Sequence, residues 1–405
     1  MYDLLSDLTV VEGASFIAGP SCGLHLNQFG ARVIRFDMIG GGPDYRRWPV
    51  TKAGDSLYWE GLNKGKLSVA LDLSRPEGRE LATAIITAAG DNRGLFVTNY
   101  PKDGFLSHDR LVRRRADLIT LRVMGWPDGR NGVDYTVNAA VGVPHMTGDP
   151  DDNGDRPVNN ALPAWDLLAG AYGAFALLAA ERQRRMTGAG REIRLALSDI
   201  AIGSLGHLGQ IAEVMTDGDR SRTGNALYGA FGRDFLTADN HRIMIVAITR
   251  RQWTGLIAAL EITDEIAALE TDLGVSFNRD EGLRFANRDR ICPIVAAAVA
   301  RFDLAEIGRR LDAAVVCWEP YQSLQAAVTE DPRLVSNNDL FQTLRQPSGH
   351  TYPVPGALAR FEGMPRAAAL PAARLGQDTE EVLATELGLS QAEIGKLVDQ
   401  SIVAA

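Results

Sequence analysis

One carboxylate in this chain stands in surroundings that suit chemistry. Asp166 lies in the first turn of a predicted helix that runs from Pro163 to Gly188. Proline suits the first position of a helix, and glycine suits the position after its last turn. Almost every residue between them is small or apolar, which predicts a helix that is buried on nearly all sides. A carboxylate at such a place either caps the helix or reacts.

The position of Asp166 alone leaves both interpretations open. Acidic residues are common in first turns, because free N–H groups and the helix dipole attract an anion there, so a cap is the ordinary case. The alternative is a catalytic carboxylate. A carboxyl group with the usual aspartate pKa of about 3.9 is ionised at neutral pH. We expect the helix end to keep Asp166 ionised.

The elements that must position Asp166 follow the pattern of an α/β protein. Short β-branched runs alternate with helical patterns, which predicts a Rossmann-like open parallel sheet with crossover helices. Ligands of such sheets lie at the carboxyl ends of the strands. The predicted strands are Thr9–Val11, Arg32–Phe36, Ser68–Leu71, Gly94–Thr98, Leu118–Val123 and Arg191–Leu197.

A smaller α+β domain is predicted beyond a polar break at Thr216–Arg222. It begins with a hairpin over Phe231–Ile248 and continues with alanine-rich helical segments. From about Asp331 through Pro371 the chain is irregular and rich in proline, and helical stretches follow near Thr379–Leu387 and Gln391–Val398. We expect this segment to return to the first domain. The predicted division is 1–220 for a large catalytic α/β domain, 221–330 for the small α+β domain and 331–405 for the C-terminal return.

Composition and charge argue against several kinds of partner. The formal charge of −9 argues against a protein that binds nucleic acid. No apolar run is long enough to span a bilayer and the first residues lack the features of a signal peptide, so a cytoplasmic protein without a membrane partner is expected. The three cysteines and six histidines are scattered, which predicts neither a metal site nor a disulfide framework.

A glycine-rich loop after the second predicted strand suits an anionic ligand. The consecutive glycines Gly40–Gly42 allow close backbone approach to a ligand, and the nearby Arg46 and Arg47 carry groups that bind phosphate or carboxylate. A flexible turn with solvated arginines is the alternative. The first loop lacks the G-x-G-x-x-G pattern, so a dinucleotide site is not supported.

Motifs along essentially the whole chain, taken together, resemble those of the class III CoA-transferase family, also called CaiB/BaiF. The resemblance implies that Asp166 is the covalent nucleophile, against the ordinary preference for a cap. It also implies an interlocked homodimer. The matching motifs, in order, are Ala18–Pro20, Gly30–Asp37, Leu62–Asp72, Val97–Pro101, Gly132–Asp134, Asp166, Thr187–Arg191, Tyr228–Phe235 and Leu375–Val382.

The same resemblance implies roles for further residues. No tightly bound cofactor is expected, because coenzyme A enters as part of the substrate. Some relatives have arginine at the position of Met38, so a phosphate contact there is expected to pass to one of the neighbouring arginines. The residues expected to contact CoA are Phe16, Ile17, Arg35, Met38, Leu71 and Asn99. Those expected to contact the substrate or its oxyanion are Ile17, Tyr58, Asp134, Gly229, Arg46 and Arg47.

Within the family, the stretches Arg35–Pro49 and Leu162–Asp166 are similar to members that move CoA between the two carboxyl groups of mesaconate. An acyl-CoA and a dicarboxylate are then the expected partners. Racemases of 2-methylacyl-CoAs carry histidine where this chain has Val133, so one of their two acid–base groups is missing. Intermolecular transferases of the formyl-CoA or carnitine type often have a longer glycine run beside Gly229. They remain an alternative, as does a CoA-binding protein without catalysis.

Overall fold

The computed structural model describes residues 1–150 and 156–404, and its main feature is a seven-stranded sheet. All neighbouring strands in it are parallel except the last, which pairs antiparallel at one edge. The predicted α/β class with a Rossmann-like parallel sheet is confirmed. The strands are β1 (Thr9–Gly13), β2 (Arg32–Met38), β3 (Leu67–Leu71), β4 (Leu95–Thr98), β5 (Ile119–Met124), β6 (Arg191–Ala196) and β12 (Val403–Ala404), in the order β12-β3-β2-β1-β4-β5-β6.

The register of β1 against β2 determines where charges meet. Glu12 pairs with Arg35 across the two strands. Because alternate side chains of a strand point to the same face, Asp37 lies on the same face of β2 as Arg35. Three ionisable groups are therefore brought together inside the sheet, near the carboxyl ends of its strands.

Helices connect these strands, and the sheet packs against them through a core of aliphatic and aromatic side chains that includes Ile34, Val69, Ile86 and Phe96. Within the described ranges, no helix is both long and apolar enough to cross a membrane. The helices of this half of the chain are α1 (Ala18–Gln28), α2 (Leu57–Leu62), α3 (Pro76–Ile86), α4 (His108–Leu111), α5 (Asp134–Ala140), α6 (Val143–Met146), α7 (Ala164–Thr187), α8 (Leu197–His207) and α9 (Gln210–Asp217).

Helix α7 is the predicted helix of Asp166. Its predicted ends are confirmed, since Pro163 is the N-cap and Gly188 the C-cap, with a φ of 72° in the left-handed region. The prediction that it is buried on nearly all sides is wrong for this chain. Leu168, Tyr172 and Phe175 are 42%, 50% and 66% exposed. Apolar composition predicts that a helix packs against other residues, but it does not show which of its side chains they bury.

By its packing, the chain divides into two compact units. The first contains Met1–Val141, Asn160–Ala212 and Pro332–Ala405, and the second contains Gly142–Asn159 and Glu213–Asp331. The domain limits 1–220, 221–330 and 331–405 stay a prediction, because compact packing does not show which segments fold on their own.

The second unit has its own antiparallel sheet and its own core around Trp253, Phe231 and Phe277. The predicted hairpin is confirmed, and Asn240 adopts a φ of 62° at its turn. A third strand beside it was not predicted. The elements are β7 (Phe231–Leu236), β8 (Arg242–Ala247), α10 (Arg250–Ala259), α11 (Thr263–Leu273), α12 (Glu281–Ala286), α13 (Arg288–Val299), α14 (Leu304–Ala313), β9 (Cys317–Pro320) and α15 (Leu324–Thr329).

In the C-terminal segment, the stretch predicted to be irregular contains a pair of strands, and the two predicted helices are confirmed. It forms the two-stranded pair β10 (Phe341–Arg345) and β11 (Thr351–Pro355), then the helices α16 (Thr379–Leu387) and α17 (Gln391–Asp399). Pro353 and Pro355 are tolerated because a two-stranded pair has only edge strands. The hydroxyl of Thr379 donates to the carbonyl of Ala404 at 2.7 Å, which fastens β12 beside β3.

Candidate active site

A cavity of about 650 Å³ opens at the carboxyl ends of β1, β4 and β5, within the first unit. This is where an open parallel sheet is expected to bind its ligand. Its size falls in the ordinary range for small-molecule sites. Side chains from four loops and from the start of α7 line it, including Ser15, Phe16, Ile17, Arg47, Tyr58, Asn99, Arg130, Val133, Asp134 and Asp166.

Asp166 lines this cavity and does not cap α7. The buried carboxylate of Asp134, at the start of α5, accepts hydrogen bonds from the N–H groups of Trp165 at 2.7 Å and Asp166 at 3.0 Å. These are N–H groups that the first turn of a helix leaves without partners. The interpretation of Asp166 as a cap is therefore wrong, since Asp134 supplies the cap from a distant part of the chain.

Asp166 holds its proton more tightly than the sequence suggests. Burial and, to a lesser extent, the neighbouring Asp134 raise the pKa of Asp166 to about 7, and Arg47 acts in the opposite direction. The expectation that the helix end keeps the carboxylate fully ionised is wrong, because desolvation and a like charge outweigh the helix dipole. At neutral pH both protonation states are populated, and the ionised form increases as the pH rises through 7.

The starts of α5 and α7 are fastened together by a second contact. The indole N–H of Trp165 donates to the side-chain oxygen of Asn138 at 3.0 Å. Asp134 and Asn138 both lie on α5, so one short helix holds the first turn of α7 at two points. This arrangement restricts the backbone from which Asp166 extends.

Helices α1 and α7 pack closely because α7 carries glycine where they meet. A Cβ atom added to Gly170 would lie 1.9 Å from the hydroxyl oxygen of Ser21. A Cβ atom on Gly173 would lie 3.6 Å from Sγ of Cys22 on α1 and 3.0 Å from Leu121 on β5. The loop that precedes α1 and the carboxylate that begins α7 are consequently held at the ends of two tightly packed helices.

That loop contains an unusual backbone conformation. Phe16 has a φ of 72°, in the left-handed region, which costs a residue with a side chain about 1–2 kcal/mol. Three hydrogen bonds, to the side chains of Asn99 and Asp44, hold the loop in place. The N–H of Ser15 donates to Oδ1 of Asn99 at 3.1 Å, and Nδ2 of Asn99 donates back to the Ser15 carbonyl at 2.9 Å. The N–H of Phe16 donates to Oδ2 of Asp44 at 3.1 Å.

Of the two candidate arginines, the structure brings Arg47 to the cavity. Its guanidinium lies 5.5 Å from the ring centroid of Phe16 and 5.6 Å from that of Tyr58. Arg46 is exposed and lies outside the cavity lining. Burial raises the pKa of Tyr58 to about 12, so its hydroxyl is protonated at neutral pH and is able to donate a hydrogen bond.

Two residues predicted to contact CoA are buried. The side chain of Leu71 is fully buried in the core of the large sheet, and that of Arg35 is 1% exposed, so their contacts with CoA stay predictions. The strand register places Arg35 inside a set of charges that we call the Arg35 cluster. It consists of Glu12, Arg35, Asp37, Asp44 and Lys66, joined by hydrogen-bonded ion pairs.

The remaining predicted contacts are distributed as follows. Phe16, Ile17 and Asn99 line the cavity beside Asp166. Met38 is 46% exposed at the end of β2 and is not among the lining residues. Gly229 lies in the second unit, before β7, with a φ of 78°. The roles of these residues toward a substrate stay predictions.

The sequence patterns do not single out Asp44, although it joins the Phe16 loop to the Arg35 cluster. The available signal is a carboxylate that directly follows Gly-Gly-Gly-Pro and lies close to Asp37 along the chain. Among residues 1–150 and 156–404, no group of three or more histidine, cysteine or carboxylate side chains could hold a metal ion.

The sequence is similar to known CoA-transferring proteins. The model of the family described as CoA-transferase family III matches residues 5–379. The 2-methylfumaryl-CoA isomerase of Chloroflexus aurantiacus is 48% identical over 406 residues, which cover 100% of this chain and 98% of that protein. The succinyl-CoA:mesaconate CoA-transferase of Haloarcula hispanica is 26% identical, over 93% of this chain and 98% of that protein.

The fold is also similar to that of a solved structure. A CAIB/BAIF family protein from Brucella suis superposes with a TM-score of 0.75 and 23% sequence identity. The match covers 94% of this chain and 98% of that one. At this identity the likeness concerns the fold alone.

Proposed function

The chain belongs to CoA-transferase family III, and from this membership we propose that it moves coenzyme A between the two carboxyl groups of mesaconate, through an aspartyl-CoA thioester on Asp166. The observation that carries the proposal is the 48% identity, over the full chain, to a protein named 2-methylfumaryl-CoA isomerase. The position of Asp166 in the cavity supports it.

In the first half of the reaction, CoA passes from the substrate to the enzyme. The ionised carboxylate of Asp166 attacks the thioester carbonyl, and the C–S bond breaks to give a mixed anhydride and CoA thiolate. The thiolate then attacks the Asp166 carbonyl of the anhydride. This forms aspartyl-CoA and releases mesaconate as a dicarboxylate.

In the second half, the released diacid turns within the site and reacts through its other end. Its second carboxylate attacks aspartyl-CoA, which again gives an anhydride and CoA thiolate. The thiolate attacks the mesaconate carbonyl, so the new thioester forms on the other carboxyl group and Asp166 returns as a carboxylate. Each step moves one acyl group and needs no external base.

The chain offers groups for the charges that these steps create. Arg47 is the cation beside Asp166, and it is our candidate for holding whichever mesaconate carboxylate is not reacting. The Tyr58 hydroxyl and the backbone N–H of Ile17 are candidates for the donors that stabilise the tetrahedral oxyanion. No tightly bound cofactor is needed, since coenzyme A belongs to the substrate.

The exposed apolar face of α7 supports a homodimer. Leu167, Leu168, Tyr172 and Phe175 lie 41–66% exposed on one helix, and exposed apolar patches of this kind mark interfaces. An interlocked dimer would cover them. Size-exclusion chromatography with light scattering measures the expected mass, which is twice the 43.8 kDa of one chain. A monomer at micromolar concentration would contradict this part of the proposal.

The function is tested by mixing purified protein with mesaconyl-C1-CoA and following the C4 isomer by chromatography. We expect isomerisation without added free acid. Hydroxylamine added during turnover should label Asp166, because it attacks the acyl-enzyme, and peptide mass spectrometry locates the label. Labelling at another residue would refute the role of Asp166.

The other outcomes identify the alternatives. Transfer of CoA only to an added free acid would favour an intermolecular transferase, which the names of the relatives at 24–26% identity describe for those proteins. Exchange of the α-proton of a 2-methylacyl-CoA in deuterated water would favour a racemase. Binding of CoA without any transfer would leave a non-catalytic CoA-binding protein.

A further inference from the structure

Asp44 makes two kinds of contact at once. Its carboxylate is 1% exposed and accepts from Nη2 of Arg35 through both oxygens, at 3.1 and 3.0 Å. One of these oxygens also accepts from the N–H of Phe16. Asp44 therefore links the interior of the protein to the loop that lines the cavity.

The other end of this link is fixed. Two nitrogens of Arg35 donate to Asp37 at 2.8 and 2.9 Å, and a third donates to Glu12 and Asn63. The guanidinium also lies 4.4 Å from the ring centroid of Trp59. All five donors are needed for these bonds, so Arg35 cannot turn without breaking several of them.

The Phe16 end of the link needs such support. A phenylalanine rarely adopts a positive φ, because its Cβ atom crowds the backbone there, and such a conformation persists only where the surroundings enforce it. The next residues, Ile17 and Ala18, begin α1 and line the cavity with Asp166. The direction of their N–H groups depends on the turn at Phe16.

We propose that Asp44 is a positioning residue for the reaction: fixed by Arg35, it holds Phe16 in the left-handed conformation and so aims the backbone at Ile17 toward the oxyanion formed at Asp166. This inference rests on the proposed function, since it assigns Asp44 a part in that reaction. Asp44 itself touches no reacting atom.

The test compares Asp44→Ala with a matched control, Asp37→Ala. Both residues are buried aspartates that accept from Arg35, but only Asp44 accepts from Phe16. We expect Asp44→Ala to lower kcat about 10- to 100-fold with little change in KM, the order of the cost of a misplaced group. Asp37→Ala should destabilise the fold comparably, but Arg35 keeps its bonds to Glu12, Asn63 and Asp44, so kcat should fall much less than in Asp44→Ala. Equal losses of kcat in the two variants would overturn the proposal.

Two further variants test whether Asp44 acts through its hydrogen bond or its charge, and whether it acts by holding Phe16 at a positive φ. Asp44→Asn keeps an acceptor for the Phe16 N–H and should recover most of the activity that alanine loses. Glycine adopts a positive φ freely, so Asp44→Ala should cost much less kcat in a Phe16→Gly background than in the natural one. If the two substitutions act independently, Asp44 does not act through Phe16. If only KM rises, the loop serves binding and not the oxyanion, which also overturns the proposal.

A measurement without substrate keeps this inference distinct from the proposed function. In Asp44→Ala, but not in Asp37→Ala, hydrogen exchange of a peptide covering residues 14–18 should become faster. Faster exchange in a protein that does not isomerise mesaconyl-CoA would retire the proposed function and keep the link from Asp44 to Phe16. Isomerisation of mesaconyl-CoA by the natural protein, with unchanged exchange in Asp44→Ala, would support the proposed function and contradict the link from Asp44 to Phe16.

Discussion

Two groups of carboxylates in the first unit have opposite surroundings. In the Arg35 cluster, three carboxylates are buried with two cations, and every one of them is paired. At the entrance to α7, Asp134 and Asp166 lie together, and the neighbouring cation, Arg47, is exposed. Burial acts on both groups. In the first it still raises the pKa of Glu12 and lowers that of Lys66, but the carboxylates around Arg35 outweigh it at that residue.

The two groups differ in what their charges do. Burial lowers the pKa of Arg35, but its carboxylate partners outweigh that effect and raise it above the ordinary value, so the cation is permanent. Burial raises the pKa of Asp166 to about 7, and Arg47 offsets only part of that rise. Paired buried charges fix a geometry, whereas an underpaired carboxylate remains free to react with an incoming group.

The largest effect is expected where the underpaired carboxylate is removed. Asp166→Asn should lower kcat for isomerisation about 10⁴-fold or more, as the loss of a covalent nucleophile does elsewhere. Asp134→Asn is the matched control, since it alters the other carboxylate of the pair and leaves the nucleophile in place. Its kcat should fall by about 100-fold at most. An Asp166→Asn variant that retained most of the activity would contradict the assignment.

The next largest effect is a loss of stability when the ion pairs of the Arg35 cluster are broken. Arg35→Met should lower the free energy of unfolding by about 3–5 kcal/mol, because it leaves buried carboxylates without their cation. Urea titration followed by circular dichroism measures the loss. The control is Arg114→Met, which removes an exposed bidentate pair with Glu80 and should cost less than about 1 kcal/mol. Similar losses in both variants would mean that the cluster is not held by charge.

A smaller gain in stability is expected from Asp166→Asn. The pKa of Asp166 is about 7 in the folded protein, above its value in the unfolded chain, so its contribution to stability is present at pH 4 and is lost as the pH rises through 7. The neutral amide avoids this loss. Asp166→Asn should therefore raise the free energy of unfolding by on the order of 2 kcal/mol at pH 8 and by much less at pH 5.

Urea titrations at the two pH values measure this gain. Glu362→Gln is the control, because that carboxyl is 90% exposed and its neutralisation should change little at either pH. A gain that did not depend on pH would contradict a raised pKa at Asp166.

The smallest expected effect is a shift of the pH profile. Activity should rise with pH through about 7, as Asp166 loses its proton. Because Arg47 lowers the pKa of Asp166, Arg47→Gln should move this rise to higher pH by up to about one unit. Arg46→Gln is the matched control and should leave the midpoint unchanged, because Arg46 lies outside the cavity lining. A midpoint that moved equally in both variants would indicate a general effect of surface charge.

Local signals in the sequence predict local structure well. Pro163 and Gly188 locate the ends of α7 to within one residue, since capping preferences act over one turn. The alternating pattern predicts the parallel sheet for a similar reason. The exposure of Tyr172 and Phe175 on α7 could not be predicted, because it depends on the packing of segments that are distant in sequence.

The sequence predicts which residues line the cavity better than it predicts their burial and pKa values. The resemblance located Asp166, Tyr58 and Asn99, which do line one cavity. The burial of Arg35 could not be predicted, because it follows from the register of β1 against β2, which no local pattern records. The pKa of Asp166 follows from its burial and from the approach of Asp134, a contact between the starts of two helices that are separated in the sequence.

The glycine contact between α1 and α7 limits how this active site is redesigned. At Gly170 even one added methyl group meets Ser21, so a substitution there pushes apart the two helices that carry the Phe16 loop and Asp166. We expect a library that targets this helix pair to yield mostly inactive proteins. Positions on the cavity rim, such as Val133 and Tyr135, are exposed and carry no such constraint, so a change of acid preference should be sought there.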